Sequence, residues 1–199
     1  DMTNFLGNPW EIIDPGVDLK KYPCCASIHS SIDAILDLLD EHPVEAGEIK
    51  NVTCKVHPDK VHILVHPRPQ TGLEGKFSLE YCTAAALIQK KIDLSTFEDN
   101  KVTGKTITDL LSRISTIKDA GLPQWGCQVT IETFSGQSFT KGHHRFQGIS
   151  SWKELENKFL DCAVPALGLT QAKQALEILR DFEKLPRTSS LMASLTRPD

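Results

Sequence analysis

Residues 127–141, CQVTIETFSGQSFTK, contain the clearest strand, turn and strand pattern in the chain. Apolar and polar residues alternate strictly over 127–132, which is the spacing of a strand with one buried face. A Ser-Gly-Gln turn follows at 135–137, and residues 138–141 return as a second strand. This stretch therefore predicts an antiparallel β-hairpin.

The same kind of periodicity predicts the other elements. Residues 48–56 alternate as a strand, and the apolar run 61–65 is predicted as its neighbour, in a hairpin or beside it. Two prolines make 66–72 a rigid loop. Helical spacing predicts helices at 27–39, 77–90 and 105–117, another that begins at Ser151 or Trp152, and one at 170–182.

The predicted order is helix, two strands, two helices, two strands and two helices. Strands that pair as hairpins, with helices grouped between them, favour an α+β fold over a doubly wound sheet. We therefore expect a small, mostly antiparallel sheet with packed helices, followed by carboxyl-terminal helices.

Composition excludes several classes of protein. The 199 residues are 40% apolar and 24% charged, which is ordinary for a folded domain. The net charge of −4 argues against nucleic-acid binding. No apolar run reaches the roughly 20 residues of a membrane span, and the first residues lack the pattern of a signal peptide. We therefore expect a cytoplasmic chain with no nucleic-acid or membrane partner.

The cysteines and the first residues give two further expectations. Six cysteines are spread along a chain without a secretory signal, so we expect buried, reduced thiols rather than a disulfide framework. The chain opens on Asp1 in an irregular stretch with Pro9, Pro15 and Gly16, which suggests a piece of a longer protein.

Residues 20–29, KKYPCCASIH, hold the densest group of reactive side chains, just before a predicted helix. Ser27 or Ser30 is placed to cap that helix. Backbone N–H groups and the positive end of the helix dipole attract anions there, so the stretch is a candidate anion site. The alternative is structural: a solvated lysine pair, a turn proline, a capping serine and a packed, hydrogen-bonded His29.

Two other groups of residues could take part in chemistry. Tyr81 lies in an apolar helix and is either a core tyrosine bonded to a carbonyl or a phenol at the edge of a pocket. A group of possible zinc ligands has a spacing unlike that of a zinc finger, so we predict no metal site: Cys54, His57, His62 and His66.

Four separated stretches together resemble one enzyme family. They are KKYPCCASIHSSID at 20–33, PQTGLEGKFSLEY at 69–81, FSGQ at 134–137 and SWKELENKF at 151–159. The chain resembles the carboxyl-terminal region of the MmgE/PrpD family, whose members include 2-methylcitrate dehydratase, cis-aconitate decarboxylase and iminodisuccinate epimerase. The resemblance extends over residues 15–182.

This resemblance implies a cofactor-independent lyase or isomerase that acts on small di- or tricarboxylic acids. It also implies a homodimer and an all-helical amino-terminal domain, on this or another chain, that carries several catalytic residues. Residues 1–148 would then form a lid-like α+β domain, residues 149–185 carboxyl-terminal helices, and residues 186–199 a flexible tail.

By position, the resemblance assigns catalytic roles to Lys20, His29 and Tyr81 and substrate contacts to Lys21, Cys25 and Ser27. Lys20 would pair with a substrate carboxylate, Tyr81 would donate to one or help in proton transfer, and His29 would orient or polarise its neighbours. Some decarboxylating members have a histidine at the position of Cys25, so the cysteine favours dehydration or epimerisation. Which of Lys20 and Lys21 faces the ligand stays open.

Other functions also stay open, because a complete acid and base set is not visible in the sequence. One is a non-catalytic carboxylate-binding or dimerisation module that lacks the helical half. Another is a decayed fragment with exposed apolar surface where a helical domain once packed.

Overall fold

A mixed four-stranded sheet lies at the centre of the computed structural model, which describes residues 7, 9–14 and 16–196. The strands are β1 Ile49–Val56, β2 Ile114–Lys118, β3 Cys127–Thr133 and β4 Ser138–His143, in the order β2-β1-β3-β4. β1 pairs with β2 in parallel, while β1 with β3 and β3 with β4 are antiparallel. The expected α+β fold with a mostly antiparallel sheet is confirmed.

Two helices cover one face of this sheet. α1 Ala26–Glu41 packs on β3 and β4, and α4 Leu79–Gln89 packs on β2 and on α1. Isoleucines at helical spacing, Ile28, Ile32 and Ile35, bring the apolar side of α1 fully into the core. The helix predicted at 27–39 and the hairpin predicted from 127 are both confirmed.

The prediction of a strand at 61–65 is wrong. Residues 58–61 form a short helix, α2 Pro58–Val61, and the chain then runs irregularly to residue 71. Pro58 suits the first turn of a helix, and the side chain of His57 caps it by accepting the N–H of Asp59 at 3.3 Å. Both edges of β1 are taken by β2 and β3, so the predicted pairing with 61–65 does not form.

The helix predicted over 105–117 is wrong in its second half. α6 Lys105–Leu111 ends early, and residues 114–118 form β2 instead. Ile114 lies opposite Val52 of β1, and the side chain of Arg113 donates to the carbonyl of Ile49 at 2.8 Å. A parallel partner that is distant in sequence thus overrides a local helical pattern.

Shorter helices complete the first part of the chain, and three helices follow the sheet. These elements are α3 Gly72–Gly75, α5 Asp99–Val102, α7 Trp152–Leu167, α8 Leu169–Arg180, α9 Ser189–Leu195, and 3-10 helices at Ala46–Glu48, Leu94–Phe97 and Phe182–Lys184. α7 begins with a capping box between Ser151 and Glu154, as the serine in that stretch suggests.

The segment expected to be a flexible tail, 186–199, contains α9, whose Leu191 is buried. The division of the chain into domains stays a prediction.

No helix in the described part of the chain combines the length and apolar character needed to cross a membrane.

Candidate functional site

The amino-terminal end of α1 has no side-chain cap. Cys25 is the N-cap residue, with extended backbone angles, and its N–H donates to the carbonyl of Lys76 at 2.9 Å. The expectation that a serine caps the helix is wrong: Ser27 lies buried inside the first turn, and the Ser30 hydroxyl accepts a bond from Lys60. A helix end without a side-chain cap keeps N–H groups and positive dipole charge for an anion.

The two adjacent lysines point to different partners. Lys20 is exposed, and its Nζ lies 3.3 Å from the carbonyl oxygen of Cys24, at the start of α1. Lys21 faces α7 instead, with its Nζ 3.7 Å from Asp33 Oδ1 and 3.4 Å from Glu154 Oε1. Lys21 is therefore held by two carboxylates, whereas the described contacts leave Lys20 with a carbonyl only.

His29 is fully buried, and neither ring nitrogen has a hydrogen-bond partner among the described residues. Its ring stands edge-on to Tyr22, with the ring centres 5.1 Å apart, and to Phe146 at 5.6 Å. Buried polar atoms in native structures nearly always have partners, so an unpartnered imidazole calls for an explanation such as a bound ligand. His29 is thus packed, as the structural alternative expects, but the described residues give its ring no hydrogen bond.

A pair of buried thiols lies beside this histidine. The interaction with the Cys82 thiol is the main cause that lowers the pKa of Cys24, to about 6, and the nearby His29 and Lys20 add to it, although burial opposes the shift. Burial, followed by the interaction with Cys24, raises the pKa of Cys82 well above its usual value. The thiol with the lowered pKa, Cys24, thus lies close to the His29 ring.

Tyr81 does not reach the end of α1 with its hydroxyl. The side chain is fully buried, and the hydroxyl donates to the backbone carbonyl of Thr96. Burial is the main cause that raises the pKa of Tyr81, and a nearby cysteine, Cys82, adds to it. These contacts match the core tyrosine that the sequence left open as an alternative, and the catalytic role stays a prediction.

Lys60 is a buried cation that the sequence did not single out. Its Nζ donates to Ser30 Oγ at 3.0 Å and to the carbonyl of Gly126 at 2.9 Å. Burial lowers its pKa to about 8, although the charges of Cys127 and Cys25 act in the opposite direction. A proline-initiated turn at residues 58–60 was the available signal, because it indicates a short helix rather than a hairpin turn.

Two openings border this group of residues. A cavity of about 540 Å³ is lined in part by Trp125, Arg145 and Phe146, and Phe146 separates it from His29. A smaller cleft of about 280 Å³ lies on the Lys21 side, against α7. The described residues hold no group of three histidine, cysteine or acidic side chains arranged to bind a metal ion.

Comparison with known proteins identifies the family of the chain. The family model of the MmgE/PrpD C-terminal domain matches residues 22–184. A cis-aconitate decarboxylase from Aspergillus terreus is 22% identical over an aligned stretch of 218 residues, gaps included. The stretch covers 97% of this chain and 43% of that protein. The chain thus spans less than half the length of this relative. Because the family model matches most of the chain, the chain belongs to the MmgE/PrpD family, through its C-terminal domain.

Proposed function

We propose that this chain is the acid-binding, carboxyl-terminal part of a cofactor-independent lyase or isomerase that acts on small di- or tricarboxylic acids. The observation that carries this proposal is the start of α1, where an uncapped helix end, an exposed lysine and a buried, unpartnered histidine lie together. The relative named cis-aconitate decarboxylase supports the class of substrate.

In this proposal Lys20 pairs with a carboxylate, and the first-turn N–H groups of α1 stabilise the same charge. Loss of water, loss of carbon dioxide or inversion next to a carboxylate all pass through carbanion-like charge, which such donors stabilise. His29, beside the Cys24 thiol, is placed to accept or hold a proton at a ring nitrogen. Cys25 and Ser27 border the site from the N-cap and the first turn.

A second function is favoured by one observation. Asp33 accepts from the Tyr22 hydroxyl at 2.8 Å and pairs with Lys21, both through Oδ1, while its Oδ2 is buried with no partner among the described residues. The two candidate general bases among the described residues of the site, His29 and Asp33, are both buried, whereas the lysine that would hold the acid, Lys20, is exposed. The alternative is a carboxylate-binding or dimerisation module whose catalytic groups come from a helical amino-terminal domain or a separate chain.

Thermal unfolding in the presence of acids tests the proposal. We expect one of 2-methylcitrate, citrate, cis-aconitate and an aspartate-derived dicarboxylate to raise Tm by about 5 °C at a hundredfold excess over Kd. Lys20→Ala should abolish this shift. Lys21→Ala is the matched control: it should lower Tm without ligand, because Asp33 and Glu154 lose their partner, and should keep the shift.

The outcomes separate the candidates. A shift lost in Lys21→Ala but kept in Lys20→Ala would assign the ligand to the cleft beside α7. No shift with any acid, from folded protein, contradicts the proposed site. NMR spectra of each acid incubated with the chain then distinguish an enzyme, which converts an acid, from a binding module, which leaves every acid unchanged.

The assembly and the location are parts of the same proposal. We infer a homodimer and an interaction with a helical domain from the family. All six cysteines are free thiols, which supports a reducing, cytoplasmic location.

A further inference from the structure

Lys60 is a buried cation to which the proposed reaction gives no role. Its side chain extends from α2 into the core and is 3% exposed. Proteins rarely bury a lysine without an acidic partner, because removing an ammonium group from water is costly. Among the described residues, no carboxylate contributes to the shift in the pKa of Lys60. A buried lysine of this kind suggests a charge kept for an anion that arrives from outside.

The partners of Lys60 tie together two distant parts of the chain. Ser30 belongs to the second turn of α1, and Gly126 directly precedes β3. Both accepting oxygens are neutral. An ammonium group has three N–H donors, so one donor has no partner among the described residues.

The position of this charge relates it to the proposed acid site. Ser30, which accepts from Lys60, lies about one turn beyond Cys25, the N-cap residue of α1. Gly126 adjoins Trp125, whose ring packs edge-on against Phe146 with the centres 5.8 Å apart, and Phe146 contacts His29. The cation thus joins α1, at the residue after His29, to the residue that follows Trp125.

We propose, building on the function proposed above, that Lys60 is a positioning residue of the acid site. It holds the start of α1 against the Trp125 loop, and it supplies the buried positive charge that stabilises a carboxylate bound at the amino-terminal end of α1.

This role has a consequence for pH. Without ligand, burial lowers the pKa of Lys60 to about 8, against the opposing charges of Cys127 from β3 and Cys25 from α1. A bound carboxylate favours the ammonium form and raises that pKa, so binding takes up a proton above about pH 8. The affinity for the acid is then greatest below this pH and falls as pH rises, by up to about tenfold per pH unit.

Isothermal titration with citrate and with cis-aconitate between about pH 7 and about pH 9.5 tests the role. The wild-type chain should lose affinity above about pH 8, whereas Lys60→Arg, which stays charged, should hold its affinity there. Lys60→Met should bind at least about tenfold more weakly near pH 7 and show a flatter pH profile. Lys105→Met is the control, since Lys105 is an exposed lysine on α6 and should match the wild type.

A pH profile of Lys60→Met that equals that of the wild type would overturn the proposal, and so would unchanged affinity. Where Lys60→Met does not fold, the wild type alone decides. Titrations near about pH 8.5 in buffers of different ionisation enthalpy should show uptake of about 0.5–0.75 proton per bound acid, because Lys60, with a pKa of about 8, is already partly protonated before binding. No uptake overturns the role. Wild-type chain that binds neither acid contradicts the proposed function, and this inference falls with it. Binding that is indifferent to every Lys60 variant overturns only the role of Lys60.

Discussion

Tyr81 shows how one hydrogen bond distinguishes a structural tyrosine from a catalytic one. Its buried hydroxyl donates to the carbonyl of Thr96. Tyr81→Phe leaves that carbonyl without its donor, so we expect the free energy of unfolding to fall by about 1–3 kcal/mol. Denaturant unfolding measures this loss.

The same variant also tests the role that the family resemblance assigns to Tyr81. If the residue is structural, Tyr81→Phe keeps the acid-induced rise in Tm. Loss of acid binding with unchanged stability would instead support a contact with substrate. The chain's other tyrosine supplies the comparison: Tyr22→Phe leaves Asp33 paired with Lys21 and should cost less stability.

Some residues of the candidate site could be predicted from the sequence, and others could not. Lys20 and His29 could be predicted because they belong to a short motif just before a helix, and the structure places both at the start of α1. Lys60 could not, because its role depends on Gly126, 66 residues further along the chain. The different partners of Lys20 and Lys21 likewise depend on α7, which no local pattern relates to them.

At the scale of elements, the correct predictions are those that local periodicity determines. β1 and β3 bury mainly the apolar residues of their alternating patterns, and α1 follows its helical pattern although it is buried on all sides over residues 27–35. Both errors fall on segments too short for their pattern to separate strand from helix: 61–65 is a short apolar run, and 112–117 has isoleucines only at 114 and 117, a spacing that continues the helical pattern. Which run pairs with β1 depends on the packing of the whole sheet, and β2 takes that place.

The first residue of α3, Gly72, has no room for a side chain. The N–H of Gly72 donates to Asp99 Oδ1 at 2.6 Å, and a Cβ at this position would lie 1.7 Å from the carbonyl oxygen of Phe97. We expect Gly72→Ala to lower the free energy of unfolding by about 3 kcal/mol, because the backbone at Phe97 must move. Gly47→Ala is the control in the same denaturant experiment, since a Cβ there meets nothing within 4 Å. Equal stability of the two variants would show that the approach of Gly72 to Phe97 is not tight in solution.

At the scale of the whole molecule, the folded region extends past the part that matches the family model. That match ends at residue 184, yet α9 packs on α8, and the side chain of Gln171 donates to the carbonyl of Ser194 at 3.0 Å. Leu191→Ala should lower the free energy of unfolding by about 2 kcal/mol, because its side chain is buried. Met192→Ala, at an exposed neighbouring position, should change stability little. A Leu191→Ala variant as stable as Met192→Ala would mean that α9 does not dock.

The strand order β2-β1-β3-β4 also determines how the sheet can assemble. β3 and β4 meet across a short turn, with Thr130 and Thr140 hydrogen-bonded only 10 residues apart. β1 meets its partners over far longer separations, 63 residues between Ser115 and Val52 and 81 between Asn51 and Glu132. Pairings between distant strands form slowly, because the chain loses the entropy of a long loop before any hydrogen bond between the strands stabilises it. During synthesis β1 leaves the ribosome before both of its neighbours, so the central strand of the sheet stays unpaired until β2 and β3 have been made.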